Sequence, residues 1–490
     1  MNKMKTLKIL LTLSLFFGIT ACSDNFLDVA PSSSGDAATA IQTVQDAEVM
    51  MNGIMRNMTS SNYYGRNFIL YGDARGGDLT VVSRGRGLDG LYAFDHSPSS
   101  SSYSGFWNSL YHYILQTNNL ITSIEKLQAD GVDGNFDDIK GQALTARAMM
   151  YFDLVRLYGQ PYTMNKDAYG VPNITEPLDA AAQPLRATVE ENYNQIISDL
   201  TAATPLLSKS KKNGYLNFYA NEALKARVYL TMGTAHYGKA LTAAEEVINS
   251  PSYSLYSNAS WVDSWKTQFG SESIFELAVY PSEADLGTGS LSFYLRRLGH
   301  GSTSASGQFI ASDYYLNRLG EDATDVRWGV MSRDELGPTH LGSVYKYSGS
   351  VNLEGDGKAT ATAVNIKVIR LSEMYLIAAE AALPTDKPKA VQYLNEIRKR
   401  APALAPATVG TITLDMILDE KSKELFSEGQ RFFDMMRLGR SITFNDDLTN
   451  VPASTRTKTI DRTFYKTILP ISEAEINANP GIGAQQNPDY

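Results

Sequence analysis

Apolar positions along this chain fall mostly at helical spacing. In 142–162, QALTARAMMYFDLVRLYGQPY, residues Leu144, Ala148, Tyr151, Phe152, Val155 and Tyr158 share one face of a strongly amphipathic helix. Gly159 followed by Pro161 predicts a sharp stop, and Asp153 and Arg156, three residues apart, can pair on its flank. The hexad FDLVRL of 152–157 returns as FDMMRL at 433–438, again closed by a glycine, Gly439. A helix reused in this way predicts helical repeats. The same periodicity marks 43–59, through Val44, Ala47, Met51, Ile54, Met55 and Met58, and also 105–127 and 189–200.

The 221–249 segment reads as helix, glycine turn, helix, with small residues such as Ala226, Gly233, Ala240 and Ala244 where the two approach, which resembles a tetratricopeptide unit. Segment 370–401 repeats the idea around a break at 384–388, 105–160 makes another pair, and 414–438 supplies a further one. The expected fold is mainly α: about four tetratricopeptide-like pairs within 105–160, 189–249 and 368–440, each burying its apolar face on the next. Beside them stands an irregular, loop-rich half with short strands, the binding regions being 63–106 and 281–366. Candidate strands lie at 79–83 and in SIFELAVY of 273–280. Loop-like stretches this long are more often functional than idle. The tail, 467–490, is too rich in Pro, Asn and Gln to be helical after Asn477 and reads as an ordered cap.

At the other end, Lys3, Lys5 and Lys8 precede an apolar run, 9–19, too short to span a bilayer, which predicts a signal peptide over 1–21. Small residues lead into Cys22, the only cysteine, in the manner of a bacterial lipobox. The expectation is a lipidated Cys22, a flexible leader over 22–40 and one body over 41–490, anchored by buried acyl methylenes.

Composition narrows the function. Acidic residues outnumber basic ones, 53 to 44, for a net charge of −9, which argues against nucleic acid as a partner. GRGLDG at 85–90 fits G-x-G-x-x-G, but His96-Ser97-Pro98 would end any following helix almost at once, so no dinucleotide cofactor is expected. The 133–137 stretch alternates oxygen ligands, yet Asp138 stands where a calcium loop needs glycine and Leu144 where it needs glutamate. Five scattered histidines give no metal signature, and no G-x-S-x-G elbow is present, so neither a metal nor a catalytic residue is assigned.

Six ordered segments together resemble the SusD/RagB family of outer-membrane nutrient-uptake lipoproteins of Bacteroidetes. CSDNFLDVAP at 22–31 is similar to the family's lipidated start, and 144–161 to its LRA-x-x-YF-x-L-x-x-x-YG-x-x-P helix, with Thr145-Ala146-Arg147 departing from it. RLSEMYLIAAEAAL at 370–383 and LNEIRKRAP at 394–402 resemble the next two. The 420–439 segment resembles ERxxELxxEGxRxxDLxRxG with Lys421 where arginine is usual, and 469–490 resembles the terminal motif with Ser472 replacing a proline. The resemblance implies a helical lid on a SusC-like TonB-dependent transporter, binding a glycan or oligosaccharide outside the cell and catalysing nothing. A peptide-binding lid of the RagB kind is the alternative within uptake; a surface glycan-cleaving enzyme and a ligand-free tetratricopeptide scaffold are the alternatives outside it.

Sugar recognition needs rings to stack on and polar groups to hydrogen-bond, held on loops by a rigid frame. Helix-borne aromatics such as Tyr151, Phe152, Tyr229 and Phe432 read as core, as do Trp107, Trp261, Trp265 and Trp328. The candidates are therefore Asp73, Arg75, Asp78, Arg84, Arg86 and Tyr92 in the first irregular segment, with Phe293, Tyr294 and Arg296 in the 281–315 part of the second. With no tryptophan inside either stretch save Trp107 at the edge, a broad tryptophan platform is not expected.

Overall fold

Thr43 opens the first helix, α1 (Val44–Met58), by a capping box: its hydroxyl accepts the Asp46 N–H at 3.2 Å while Asp46 takes the Thr43 N–H at 3.0 Å. The computed structural model describes residues 40–83, 85, 88–100, 104–179, 181–280, 282, 287–296, 305–347 and 364–490. Cys22, Arg84 and Arg86 lie outside them. α1 lays Ala47, Met51, Ile54 and Met58 against α2 (Ser104–Ala129), which pairs with α3 (Asp137–Tyr158). α3 in turn packs on α4 (Val189–Ala203), itself opened by a capping box at Thr188.

α3 departs from its sequence pattern. Nearly every residue from Gly141 to Tyr158 is buried, Arg156 apart, because α2 and α4 cover opposite sides. The stripe from Leu144 to Tyr158 is one side of a helix that has no solvent side. Its polar residues must then find partners inside. Arg147 grips Asp199 through two bonds of 2.7 and 2.8 Å and adds the Asn118 amide oxygen at 2.9 Å. Asp153 accepts from the Arg156 guanidinium and from the Tyr63 and Tyr64 hydroxyls, the latter two at 2.5 and 2.8 Å. Gly159 is required by close approach: a Cβ there would meet the Val155 carbonyl oxygen at 2.9 Å and Val189 Cγ2 at 3.0 Å.

α5 (Phe218–Thr231) and α6 (Tyr237–Ile248) turn on Gly233, whose φ of +91° lies in the left-handed region. Ala223 and Ala226 on one helix and Ala240 and Ala244 on the other are fully buried. The layer continues through α7 (Leu371–Ala382) and α8 (Lys387–Arg398) to α9 (Leu414–Glu424) and α10 (Arg431–Arg437). The turn between α9 and α10 holds Ser427 and Gly429 at φ of +62° and +82°. There Gly429 meets Gly72 backbone to backbone.

The described strands form two-stranded antiparallel sheets. β1 (Leu79–Val81) pairs with β3 (Phe309–Ala311), and β2 (Ser273–Leu277) with β6 (Ile366–Arg370), which runs straight into α7. β4 (Met331–Ser332) pairs with β5 (Ser343–Val344), and β7 (Ile442–Thr443) with β8 (Thr459–Ile460). One hydrophobic cluster reaches from Ile41 to Ile482. Among the described residues no helix is long and apolar enough to cross a membrane.

Charges buried where β6 meets α7 join the helical layer to the irregular half. Arg370 reaches Glu428 at 2.8 Å, and Glu272 and Glu424 at 3.0 Å each. Arg400 takes the other oxygen of Glu272 at 2.6 Å, Lys346 reaches Glu428 at 2.8 Å, and Arg327 holds Asp325 at 2.6 Å and Glu420 at 2.7 Å. The tail caps the far end: the Leu469 N–H donates to the Leu157 carbonyl at 2.7 Å, and the Asn487 amide bridges the Tyr158 and Leu469 carbonyls. Against expectation a helical turn, Pro480–Gly483, follows Asn477, because Pro480 suits a first helical position.

Candidate functional site

The two irregular segments, more than 200 residues apart, come together as one face. Leu79 stands opposite Ala311 and Val81 opposite Phe309 in the β1–β3 ladder, and the Leu88 N–H donates to the Gln308 amide oxygen at 3.2 Å. Arg66 donates to the Thr288 carbonyl and sits 5.6 Å from the centre of the Tyr294 ring. The first segment is less irregular than its composition predicts, since 67–74 is a helix buried from Phe68 to Ala74. A helix covered on all sides carries no polar stripe to betray it.

Several candidate residues turn inward. Asp73 is buried and accepts the Gly429 N–H; burial pushes its carboxyl well up. The Arg75 guanidinium is sandwiched between the Tyr71 and Phe94 rings at 4.3 and 3.9 Å and meets His96 Nδ1 at 3.3 Å. Burial would raise the Asp78 carboxyl, but Arg318, bound at 2.9 Å, together with Arg431 and the Ser422 hydroxyl holds it below the usual range. The Tyr92 hydroxyl lies 2.7 Å from the Asn445 carbonyl oxygen and 2.8 Å from Asp446, and burial pushes the phenol up. Arg296 is wholly buried, and Tyr294 is covered with its ring edge-on to the half-buried Phe293. Asp73, Arg75, Asp78 and Tyr92 thus engage groups of the protein itself. Ionisable groups are costly to bury unless paired, and here the loops bury them.

Exposed rings and polar groups gather elsewhere, on residues the sequence reading passed over. A cleft of about 310 Å³ is lined by Asn52, Met55 and Arg56 of α1, Thr59 at its C-cap, the 213–215 turn, and Ala278 and Tyr280 beyond β2. Tyr280 is 62% exposed. Gly214 supplies the turn with a φ of +82°, and a Cβ there would meet only Ala278 Cβ, at 3.8 Å, which keeps the cleft floor open. The Lys212 ammonium stands 4.0 Å from the centre of the Tyr215 ring. Two rings, two side-chain amides and a guanidinium therefore surround one space. The available signals were the Asn213-Gly214 turn between polar and aromatic residues and the ring that ends the strand-like run.

A second, more open cleft of about 500 Å³ lies between α2 and the 172–184 loop, lined by Trp107, Tyr111, Leu115, Ile174, Leu178 and Glu475 among others. Its Trp107 ring is only 6% exposed and packs against Tyr111 and Tyr158 at 4.9 and 5.0 Å, so it offers no free face for stacking.

A SusD superfamily structure from Bacteroides thetaiotaomicron VPI-5482 superposes with a TM-score of 0.82 at 35% identity, covering 91% of this chain and 100% of its own. The chain belongs to the SusD family. The SusD family profile matches residues 327–490, and a second profile, described as starch-binding associating with outer membrane, matches 25–230. A SusD-like protein of Bacteroides ovatus is 24% identical over 467 residues, 89% of this chain and 82% of its own. The starch-binding protein SusD of Bacteroides thetaiotaomicron is 33% identical over 133 residues, 26% of this chain and 23% of its own. The mainly helical scaffold expected from the sequence is the scaffold of this SusD-like chain.

Proposed function

We propose that this protein is a glycan-capturing lipoprotein of the outer membrane, anchored through Cys22 and facing the cell exterior, which delivers an oligosaccharide to a SusC-like TonB-dependent transporter. It carries out no bond-breaking step itself. The observation that carries the reading is the cleft in which Tyr215 and Tyr280 stand with Asn52, Asn213 and Arg56 on a SusD-family frame. Rings supply apolar faces for pyranose C–H groups, amides and guanidinium supply directional bonds to hydroxyls, and the packed helices fix both before the ligand arrives. The description of one matching profile as starch-binding and associated with the outer membrane supports the same reading. Titration calorimetry of the full-length protein against a panel of oligosaccharides and oligopeptides tests it. Saccharide binding that weakens in Tyr280→Ala supports the proposal; peptide binding with no saccharide response overturns it, and release of reducing sugar by the purified protein overturns its non-catalytic part.

A further inference from the structure

We infer that the 310 Å³ cleft takes an N-acetylated amino sugar, a pyranose bearing an acetamido group, in preference to one bearing hydroxyls alone. This rests on the glycan-binding reading and adds the chemical class of the sugar. A trans acetamido group presents an N–H on one edge, a carbonyl on the other and a methyl at its end, so two separate polar partners and a small apolar seat suit it best. Asn52 on α1 and Asn213 on the 213–215 turn supply the two partners. Neither side chain has a hydrogen-bond partner among the described residues. Nearby amides are engaged: Asn57 donates to the Gln116 amide oxygen at 2.7 Å, and Asn217 to the Ser210 carbonyl at 3.2 Å and the Tyr253 hydroxyl at 3.0 Å.

The apolar seat lies at Gly214. A Cβ there would stand 3.8 Å from Ala278 Cβ, in ordinary van der Waals contact, and within 4 Å of nothing else among the described residues. A methyl-sized hollow is therefore left between the Gly214 backbone and the Ala278 methyl, in a cleft whose lining also includes the buried Met55. The φ of +82° at 214 favours glycine, which leaves the hollow unfilled. Lys211 holds the base of the turn, its ammonium donating to the Phe269 and Gly270 carbonyls at 3.0 and 2.6 Å, so Asn213 and the hollow are in place before a ligand arrives. Neither Asp nor Glu is among the described residues lining the cleft. A deacetylated amino sugar, an ammonium, thus finds no carboxylate to meet it there, and a sugar with a hydroxyl in place of the acetamido group leaves the hollow without contacts. The Tyr215 and Tyr280 rings take the sugar face in each case.

Calorimetry on the full-length protein tests this with three trimers of one backbone, N-acetylchitotriose, its deacetylated form and cellotriose, which carry acetamido, ammonium or hydroxyl at the same carbon. N-acetylchitotriose should bind roughly ten- to fiftyfold more tightly than cellotriose, the combined effect of a buried methyl and a gained hydrogen bond. The deacetylated trimer should bind no better than cellotriose. Ala278→Val, which fills the hollow from the side opposite Gly214, should bring the ratio of acetylated to hydroxyl probe down towards one. Asn52→Ala and Asn213→Ala, both at exposed positions, should each lower that ratio roughly two- to tenfold, and a thermal melt like that of wild type shows that the fold is intact. Cellotriose bound as tightly as N-acetylchitotriose, a ratio that none of the three variants moves, or silence of N-acetylchitotriose beside another saccharide whose binding is lost in Tyr280→Ala overturns this inference and leaves glycan capture standing. Silence of every saccharide beside binding of a peptide overturns both.

Discussion

Removing the Arg370 side chain should show how far the buried charges bind the two halves of the molecule. Its guanidinium makes five bonds of 2.8 to 3.0 Å, to the carboxylates of Glu428, Glu272 and Glu424 and to the Glu424 carbonyl. In Arg370→Ala, Glu272 keeps Arg400 and Glu428 keeps Lys346, but Glu424 is left with guanidiniums at 3.5 and 4.0 Å. Breaking a buried network of this kind costs about 3–5 kcal/mol. At about 2.1 cal/mol/K of unfolding entropy per residue, unfolding of a body of about 450 residues carries roughly 0.9 kcal/mol/K, so Tm should fall by about 3–5 °C. The pH dependence carries the sharper test. Burial pushes the Glu424 and Glu428 carboxyls up, but Arg370 foremost outweighs it and holds both below their ordinary 4.5. Carboxylates so depressed stabilise the fold above the unfolded value and lose that contribution as pH falls through the folded one. Without Arg370 burial dominates, the folded values rise, and acidification relieves the variant. The stability gap measured by urea unfolding should therefore be widest near pH 7 and narrow as pH falls towards 4.5, with Glu272, whose carboxyl burial raises and Arg370 draws down, adding to the gap in the same sense. An unchanged urea midpoint at pH 7, or a gap as wide at pH 4 as at pH 7, would refute the electrostatic account.

Gly72→Ala should fail to accumulate as folded protein, because the new Cβ would lie 2.1 Å from the Gly429 carbonyl oxygen with backbone on both sides; limited proteolysis of expressed protein checks this. Tyr280→Ala should leave unfolding within about 0.5 kcal/mol of wild type, as the ring is largely in solvent, yet weaken saccharide binding roughly five- to thirtyfold through the lost stacking face. Tyr63→Phe removes one of the two hydroxyls on buried Asp153 and should cost about 1–3 kcal/mol by thermal melting. Cys22→Ser should move the protein out of the outer-membrane fraction on cell fractionation.

Helical spacing alone predicted the helices of the scaffold, the glycine turn at Gly233 and the stop at Gly159, because these are local properties of periodicity, small residues and backbone freedom. Family motifs at 370–383 and 420–439 likewise mark what the structure uses as the charged junction, with Lys421 reaching Asp434 at 2.8 Å. What the chain could not declare is which polar residues face outward. Asp73, Arg75 and Asp78 have the same composition as a ligand site, but whether a carboxylate or guanidinium meets a sugar or a partner such as Arg318, Phe94 or Gly429 depends on elements as far as 356 residues away. The 310 Å³ cleft has the same origin: Arg56, Tyr215 and Tyr280 are remote in sequence and become neighbours only when α1, the 213–215 turn and the end of β2 pack together. Local sequence fixes backbone preference, whereas exposure is a property of the packed whole, and binding follows exposure.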